Sequence, residues 1–219
     1  LIELSNNSNA HVSINHSILA DPMYLKGKKL IKNGKIGEIS HINFMISDDF
    51  LKQYNNGTYR KWIIDQPMGV FYDLLPHPIY LLQDLMGDLV VENISFVNSD
   101  NNLFPLNLII DFNSSSQITS TLNLSLKIEP IQQNLHVYGD SGNVLIDYRN
   151  FYVILERSLK LPQPLPRIYS SISKSWQYFR EVVKNYFGLL LGRVHPYKGF
   201  RNIINNFYVS LKNNEIPNP

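Results

Sequence analysis

Over residues 106–112 and again over 118–128 apolar and polar side chains largely alternate, and two such runs with a two-residue period demand extended chain. "LNLIIDF" puts Leu106, Leu108, Ile110 and Phe112 on one face. "ITSTLNLSLKI" puts Leu122, Leu124, Leu126 and Ile128 inward, with Thr119, Thr121, Asn123, Ser125 and Lys127 outward. The linker "NSSSQ" between them is short enough for a hairpin. "NLHVYGDSGNVLIDY" reads as a second hairpin, turning at Gly139-Asp140-Ser141-Gly142, and "FYVILE" continues the meander. Upstream, "EISHINFMIS" alternates too, with Ile42, Phe44 and Ile46 facing one way and His41, Asn43 and Met45 the other. Strands that follow one another with no helix between them predict an antiparallel sheet, one face covered and one polar.

Helical signals surround this block. In "LADPMYLKGKKLIKNG", Asp21 suits the cap, Pro22 the first helical position and Gly34 the stop. "GVFYDLLPHPIYLLQDLMG", residues 69–87, is expected to be helical at least from Pro78 to Met86, ending at Gly87. After the prolines of "LPQPLPR", Ile168, Ile172, Trp176, Phe179, Val183, Tyr186 and Leu190 recur at helical steps. Phe200, Ile203, Ile204, Phe207, Tyr208 and Leu211 do the same in a last helix. Arg167, Lys174, Arg180, Lys184 and Arg193 sit opposite the first stripe. That arrangement fits a solvated face of a helix packed on the sheet; a membrane-surface helix is the rarer alternative. The fold class is α+β: a mainly antiparallel sheet with helices packed on one face, forming a single domain over residues 1–219.

Composition removes several classes. The 219 residues are 44% hydrophobic and 17% charged, which is globular rather than disordered. Lysine and arginine exceed aspartate and glutamate by 20 − 18 = 2, so no strong field calls for nucleic acid or a membrane. There are no cysteines, which excludes disulfide scaffolds, zinc–thiolate sites and cysteine nucleophiles and is compatible with a cytoplasmic chain. None of the 11 glycines lies two positions from another, so there is no G-x-G-x-x-G, and no phosphate-binding G-x-x-x-x-G-K-[ST] occurs. The six histidines show no metal-ligand spacing.

The one chemically suggestive place is the apolar segment 69–87, which carries Asp73 and, between Pro76 and Pro78, His77. Two readings of the pair stand. Asp73 caps a helix while His77 is a satisfied histidine of the core or surface. Alternatively, four residues apart on one turn, one side chain grips a hydroxyl while the other moves its proton. Imidazole suits that work because its pKa lies near working pH. Pro78 cannot donate to the fourth carbonyl back, so the helix kinks or begins there. "YRKW", residues 59–62, sets Arg60 and Lys61 among aromatics, fit either for an anion or sugar contact or for aromatic packing of a loop.

"MGVFYDLLPHPIYLLQDLMG" resembles the Asp/His motif in the C-terminal domain of the Gfo/Idh/MocA oxidoreductases: a glycine-rich start, an Asp, a His four residues on, and an apolar helix ending in Gly. "SINHSILADPMYLKGKKLIKNGKIGEISHINF" is similar to the stretch just after that family's nucleotide domain. "HVYGDSGNVLIDY" is similar to its late hairpin, and "GFRNIINNFYVSLKNNEIPNP" to the helix and tail near its end. The resemblance covers nearly the whole chain. It implies a partner N-terminal Rossmann domain binding NAD or NADP, a sugar, cyclitol or nucleotide-sugar substrate between the domains, and His77 and Asp73 as the catalytic pair. It further implies that Asn15, His16, Tyr59 and Arg60 lie in substrate-facing segments.

The departures have consequences. The nucleotide-binding glycines and the family's Glu-Lys-Pro segment are absent, and the usual glycine pair is reduced to Met68-Gly69. The chain opens on Leu1 rather than Met. It is therefore expected to be the substrate and assembly domain of a larger dehydrogenase, residues 1–20 belonging to the link from the nucleotide domain. Alone it should bind no cofactor and be inactive, and it should form a homo-oligomer, a dimer at least, through the open sheet face. A non-catalytic binding or dimerisation module that kept the fold is the alternative.

Overall fold

The computed structural model describes residues 8, 11–98, 104–192, 198–213 and 215. Arg193, most of the expected link before residue 11 and most of the tail after 213 lie outside them. A 3-10 turn, Ser17–Ala20, leads into helix α1, Pro22–Lys32. The Asp21 side chain accepts from Met23 N at 2.7 Å and Tyr24 N at 3.4 Å, supplying the cap that two of the helix's orphan N–H groups need. Gly34 ends the element at φ +67°, where a Cβ is disfavoured. Strand β1, Ile39–Ser47, is followed by four short helices: α2 Phe50–Asn55, α3 Lys61–Ile64, α4 Val70–Leu74 and α5 Pro76–Met86. Six strands follow, with no helix between them among the described residues: β2 Leu89–Asn98, β3 Pro105–Ser114, β4 Thr119–Ser125, β5 Gln133–Gly139, β6 Gly142–Asp147 and β7 Tyr152–Arg157. Helices α6, Leu165–Leu190, and α7, Lys198–Lys212, close the order.

The strands form one seven-stranded sheet in the order β2-β3-β4-β1-β5-β6-β7. Every neighbouring pair is antiparallel except β1 and β4, which run parallel with Phe44 opposite Leu122. The parallel pair arises because β1 is inserted between strands that follow one another in sequence. The β4–β5 connection must then cross the end of β1, and it is tied down there. Ser47 N donates to Gln132 O at 2.8 Å, Gln132 N donates to Ser47 Oγ at 2.7 Å, and Asp48 N donates to Ser125 O at 3.1 Å. The crossing also stops β4 at Ser125, so Leu126 is still buried but Ile128, expected to face inward, is only half-buried.

One face of the sheet carries the core. Ile42, Phe44, Leu108, Leu122, Leu124, Leu135, Val137, Val144 and Ile146 are buried there, under Tyr24, Phe71, Leu81 and Leu82 from the helices. Gly27 lets α1 lie directly on β6, since a Cβ at that position would collide with the Ile146 side chain. Strand β2, absent from the sequence expectation, sits at the sheet edge and is largely exposed. Among the described residues no helix is long and apolar enough to cross a membrane.

Helix α6 overturns one expectation. Its apolar stripe does not pack on the sheet: Trp176 is 63% exposed, Phe179 60% and Leu190 65%. The helix docks by its other face on edge strand β7, whose outward backbone groups have no further strand to pair with. The Gln177 amide accepts from Leu155 N at 2.9 Å and donates to Leu155 O at 2.8 Å, imitating the missing strand. Asn185 Nδ2 donates to Phe151 O at 2.6 Å, and Lys174 pairs with Glu156 at 3.0 Å. Glu181, 2% exposed, meets Lys26 of α1 at 2.7 Å. Satisfying buried and edge polar groups outweighs burying the stripe within this chain, because each orphaned group costs about 1–3 kcal/mol. In α7 the apolar positions divide: Phe200, Ile204 and Tyr208 are exposed while Ile203, Phe207 and Leu211 are half-buried. Asn202 Nδ2 anchors that helix to Ala20 O at 3.1 Å.

Candidate active site

The Asp73/His77 segment is two abutting helices rather than one. Pro76 and Pro78 have no N–H to give, so the intrahelical ladder thins where they stand. Leu75 bridges the gap in helical geometry, φ −57° and ψ −40°. Its N–H reaches Phe71 O at 2.9 Å, and its carbonyl accepts from Ile79 N at 3.3 Å. The second helix begins at Pro76, two residues before the expected minimum. At its far end Gly87 takes φ +79° and stops it, as expected.

Asp73 is exposed, so its charge needs no buried partner. It caps nothing: the residues preceding α4 and α5 are Gly69 and Leu75, and neither helix start has a side-chain cap. The capping explanation of the carboxylate is therefore removed.

His77 is half-buried and held on one side. Its Nδ1 lies 3.1 Å from the hydroxyl of Tyr80, one turn on, and the two rings meet edge to face at 5.8 Å and 88°. The Tyr80 hydroxyl also accepts from Ile18 N at 3.2 Å, which ties the site to the 3-10 turn. On the other side of Tyr80, His16 stacks at 4.5 Å and 25°. His77, Tyr80 and His16 thus form one aromatic group, and among the described residues no hydrogen bond engages Nε2 of His77.

Burial holds the His77 imidazole below its ordinary pKa of 6.5; His16 pushes it the same way, and only the Asp73 carboxylate opposes them. The ring is therefore neutral at neutral pH. Burial raises the Tyr80 hydroxyl, against the pull of the Ile18 N–H and the Ser17 side chain, so it stays protonated. Asp48, in the turn after β1, belongs to the same neighbourhood. Its carboxyl is pushed up chiefly by burial and further by Asp49 and Asp73, while Phe50 N–H, donating at 2.8 Å, and Arg149 pull it down.

The remaining sequence candidates fall in two places. His16 joins the group around Tyr80, whereas the exposed Asn15 lies along a shallow groove against Phe200, Ile204 and Tyr208 of α7. Tyr59 packs in an aromatic cluster, 5.1 Å from Tyr54 and 6.4 Å from Phe50, with Phe104 edge-on to both of those rings. Arg60 is exposed at the start of α3. Among the described residues no hydrogen bond, ion pair or ring contact joins Tyr59 or Arg60 to the His77 group. Tyr80 and Asp48 carried no signal that would single them out, apart from Tyr80 standing three residues from His77. Among the described residues no cluster of histidine and carboxylate side chains is set to hold a metal.

The architecture matches solved oxidoreductases of low sequence identity. An NAD-binding oxidoreductase from Klebsiella pneumoniae shares 17% identity at a TM-score of 0.60, over 71% of this chain and 45% of its own. The WlbA dehydrogenase from Bordetella pertussis, solved with NADH and UDP-GlcNAcA, shares 15% at 0.58, over 100% of this chain and 67% of its own. An inositol dehydrogenase homolog from Azotobacter vinelandii, solved with NADH and myo-inositol, shares 14% at 0.57, over 92% and 62%. The chain thus spans less than half the length of the first of these. No curated protein matches it. These likenesses establish the fold, and the profile of the GFO/IDH/MocA C-terminal domain matches residues 24–145, more than half of the chain. The chain belongs to the GFO/IDH/MocA family, as a copy of its C-terminal domain.

Proposed function

We propose that this chain is the substrate-binding and assembly domain of an NAD(P)-dependent oxidoreductase acting on a hydroxyl or carbonyl of a sugar, cyclitol or nucleotide-sugar. The observation that carries this is His77: a neutral imidazole beside an exposed carboxylate, with one nitrogen fixed and the other open. Tyr80 Oη has two lone pairs, for which the Ile18 N–H, the Ser17 side chain and His77 Nδ1–H compete. In the tautomer where Nδ1–H donates to this oxygen, Nε2 is unprotonated and can accept a proton. As a carbinol carbon is oxidised, Nε2 takes the hydroxyl proton; on reduction it returns it. Asp73 holds the substrate hydroxyl and steadies the positive charge that His77 gains. Asn15 and His16 from the segment before the 3-10 turn, and Tyr59 and Arg60 from the loop before α3, are the further substrate contacts.

The nicotinamide would supply hydride chemistry, but the residues present do not fit a dinucleotide. Among the described residues no glycine-rich turn joins a strand to a helix where a pyrophosphate would need closely approaching amides. The cofactor is accordingly assigned to a companion Rossmann domain, linked through residues 1–20, and the isolated chain is expected to be inactive. The outer sheet face, with His41 bonded to Thr119 at 2.8 Å and His136 to Asn143 at 2.9 Å, is the proposed face for self-association.

The test joins the chain to its nucleotide-binding domain and measures turnover across sugars, cyclitols and nucleotide-sugars, with His77→Asn as comparison. Loss of turnover by about 100- to 10,000-fold with the fold intact is expected for a lost proton-transfer group. Equal turnover of the variant on every active substrate would assign the chemistry elsewhere.

A further inference from the structure

The exposed stripe of α6 has a second periodicity beneath its helical one. Leu165, Ile172, Phe179 and Tyr186 stand seven residues apart. Trp176, Val183 and Leu190 follow the last three at an interval of four. A seven-residue apolar repeat is the signature of a helix that lies along another helix, because it keeps one seam facing the partner. A bilayer or a flat sheet face imposes no such repeat.

The stripe cannot be a helix merely waiting to turn over. Gln177, Lys174, Glu181 and Asn185 occupy the opposite side and are spent on β7 and α1. Its size is sufficient for a specific contact. Half-exposed side chains of this kind, each offering about 150–250 Å² in full, leave about 800 Å² of apolar surface along the stripe. That is roughly one partner's share of a standard interface. Charge argues against an anionic surface as the occupant, since Arg180, beside the stripe, pairs with Glu181, and Lys174, on the opposite side, pairs with Glu156.

The partner must therefore offer a long helix with a matching repeat. At 26 residues α6 is about 39 Å long. Among the described residues the next longest helix has 15 residues, and α6 alone fits its own length. Two identical stripes related by a two-fold axis make a self-complementary contact. We propose that two copies of this chain pair α6 against α6 through this stripe, a contact separate from the outer face of the sheet.

The chain contains no cysteine, so single thiols report proximity cleanly. Ser175→Cys and Phe179→Cys, near the middle of the helix, are each treated with a short bis-maleimide, beside Asn55→Cys on the exposed end of α2. The expected result is that most of both α6 variants run as covalent dimers while Asn55→Cys remains monomeric. Ile172→Glu, added to Ser175→Cys, should abolish the link with an unchanged circular dichroism spectrum. Cross-linking no greater at 175 and 179 than at 55 would overturn the proposal. So would co-sedimentation of an uncross-linked chain with phosphatidylserine vesicles, which would give the stripe to a membrane. Disappearance of the link once the nucleotide-binding domain is attached would give it to that domain and overturn the proposal as well.

Discussion

Tyr80→Phe isolates one oxygen atom. It keeps the ring that stacks on His16 and meets His77 edge-on, and removes the hydroxyl that both Ile18 N–H and His77 Nδ1 approach within 3.2 Å. The Ile18 N–H and the Ser17 side chain then lose their acceptor, and His77 Nδ1 loses its partner. An orphaned buried group costs about 1–3 kcal/mol, and Ile18 and His77 are only half-buried, so a total of about 1–2 kcal/mol is expected. At about 2–4 °C per kcal/mol for a domain of this size, the melting midpoint should fall by about 2–8 °C. Thermal unfolding followed by circular dichroism reads that shift. Nitrogen-15 NMR of the His77 ring reads the second consequence, a loss of the Nδ1–H tautomer in favour of Nε2–H. A variant with unchanged midpoint and unchanged ring shifts would show that Tyr80 does not hold His77, and the open-nitrogen argument would fall with it.

Gln177→Ala should destabilise the chain by about 1–3 kcal/mol in urea unfolding, because Leu155 N–H and C=O lose their partner at the edge of β7. Glu181→Gln leaves the Lys26 ammonium without its counter-charge; with Lys26 partly exposed the cost should be about 3 kcal/mol, the low end for a broken buried pair. Stability should also depend on pH through His77. Its folded pKa lies below the 6.5 of the unfolded chain, so the unfolded state binds the proton more readily. Stability is full above about pH 6.5 and falls as pH drops below it toward the folded pKa. His77→Gln should remove part of that loss, and His136, whose pKa burial also lowers, contributes to the rest.

The sheet was legible because a two-residue alternation specifies both extended chain and the buried face. Ile42, Phe44, Leu108, Leu122 and Leu124 all point where the pattern puts them. Strand β2 escaped because it is an exposed edge strand: with neither face buried, "LVVENISFVN" has no clean alternation to show. The parallel β1–β4 pair was hidden for a different reason, since strand order depends on where the chain crosses back and not on local pattern. In α6 the periodicity correctly gave a helix but not which side faces the sheet. A stripe of seven apolar residues outweighs nothing if the neighbouring strand edge has backbone groups to satisfy. At the site, spacing brought Asp73 and His77 forward but was silent about Tyr80, which looks like ordinary core filling until His16, Ile18 and His77 are seen to converge on it.

In the role proposed for it, His77 moves the substrate proton in its neutral form. That role is tested most directly by the pH dependence of the single-turnover oxidation rate in the protein carrying its nucleotide-binding domain. The expected wild-type rate is level above about pH 6.5 and declines below it, as a base with a depressed pKa is protonated. His77→Asn should be slower by about 100-fold or more and flat across the same range. A variant that keeps both the wild-type rate and its acid limb would contradict the claim.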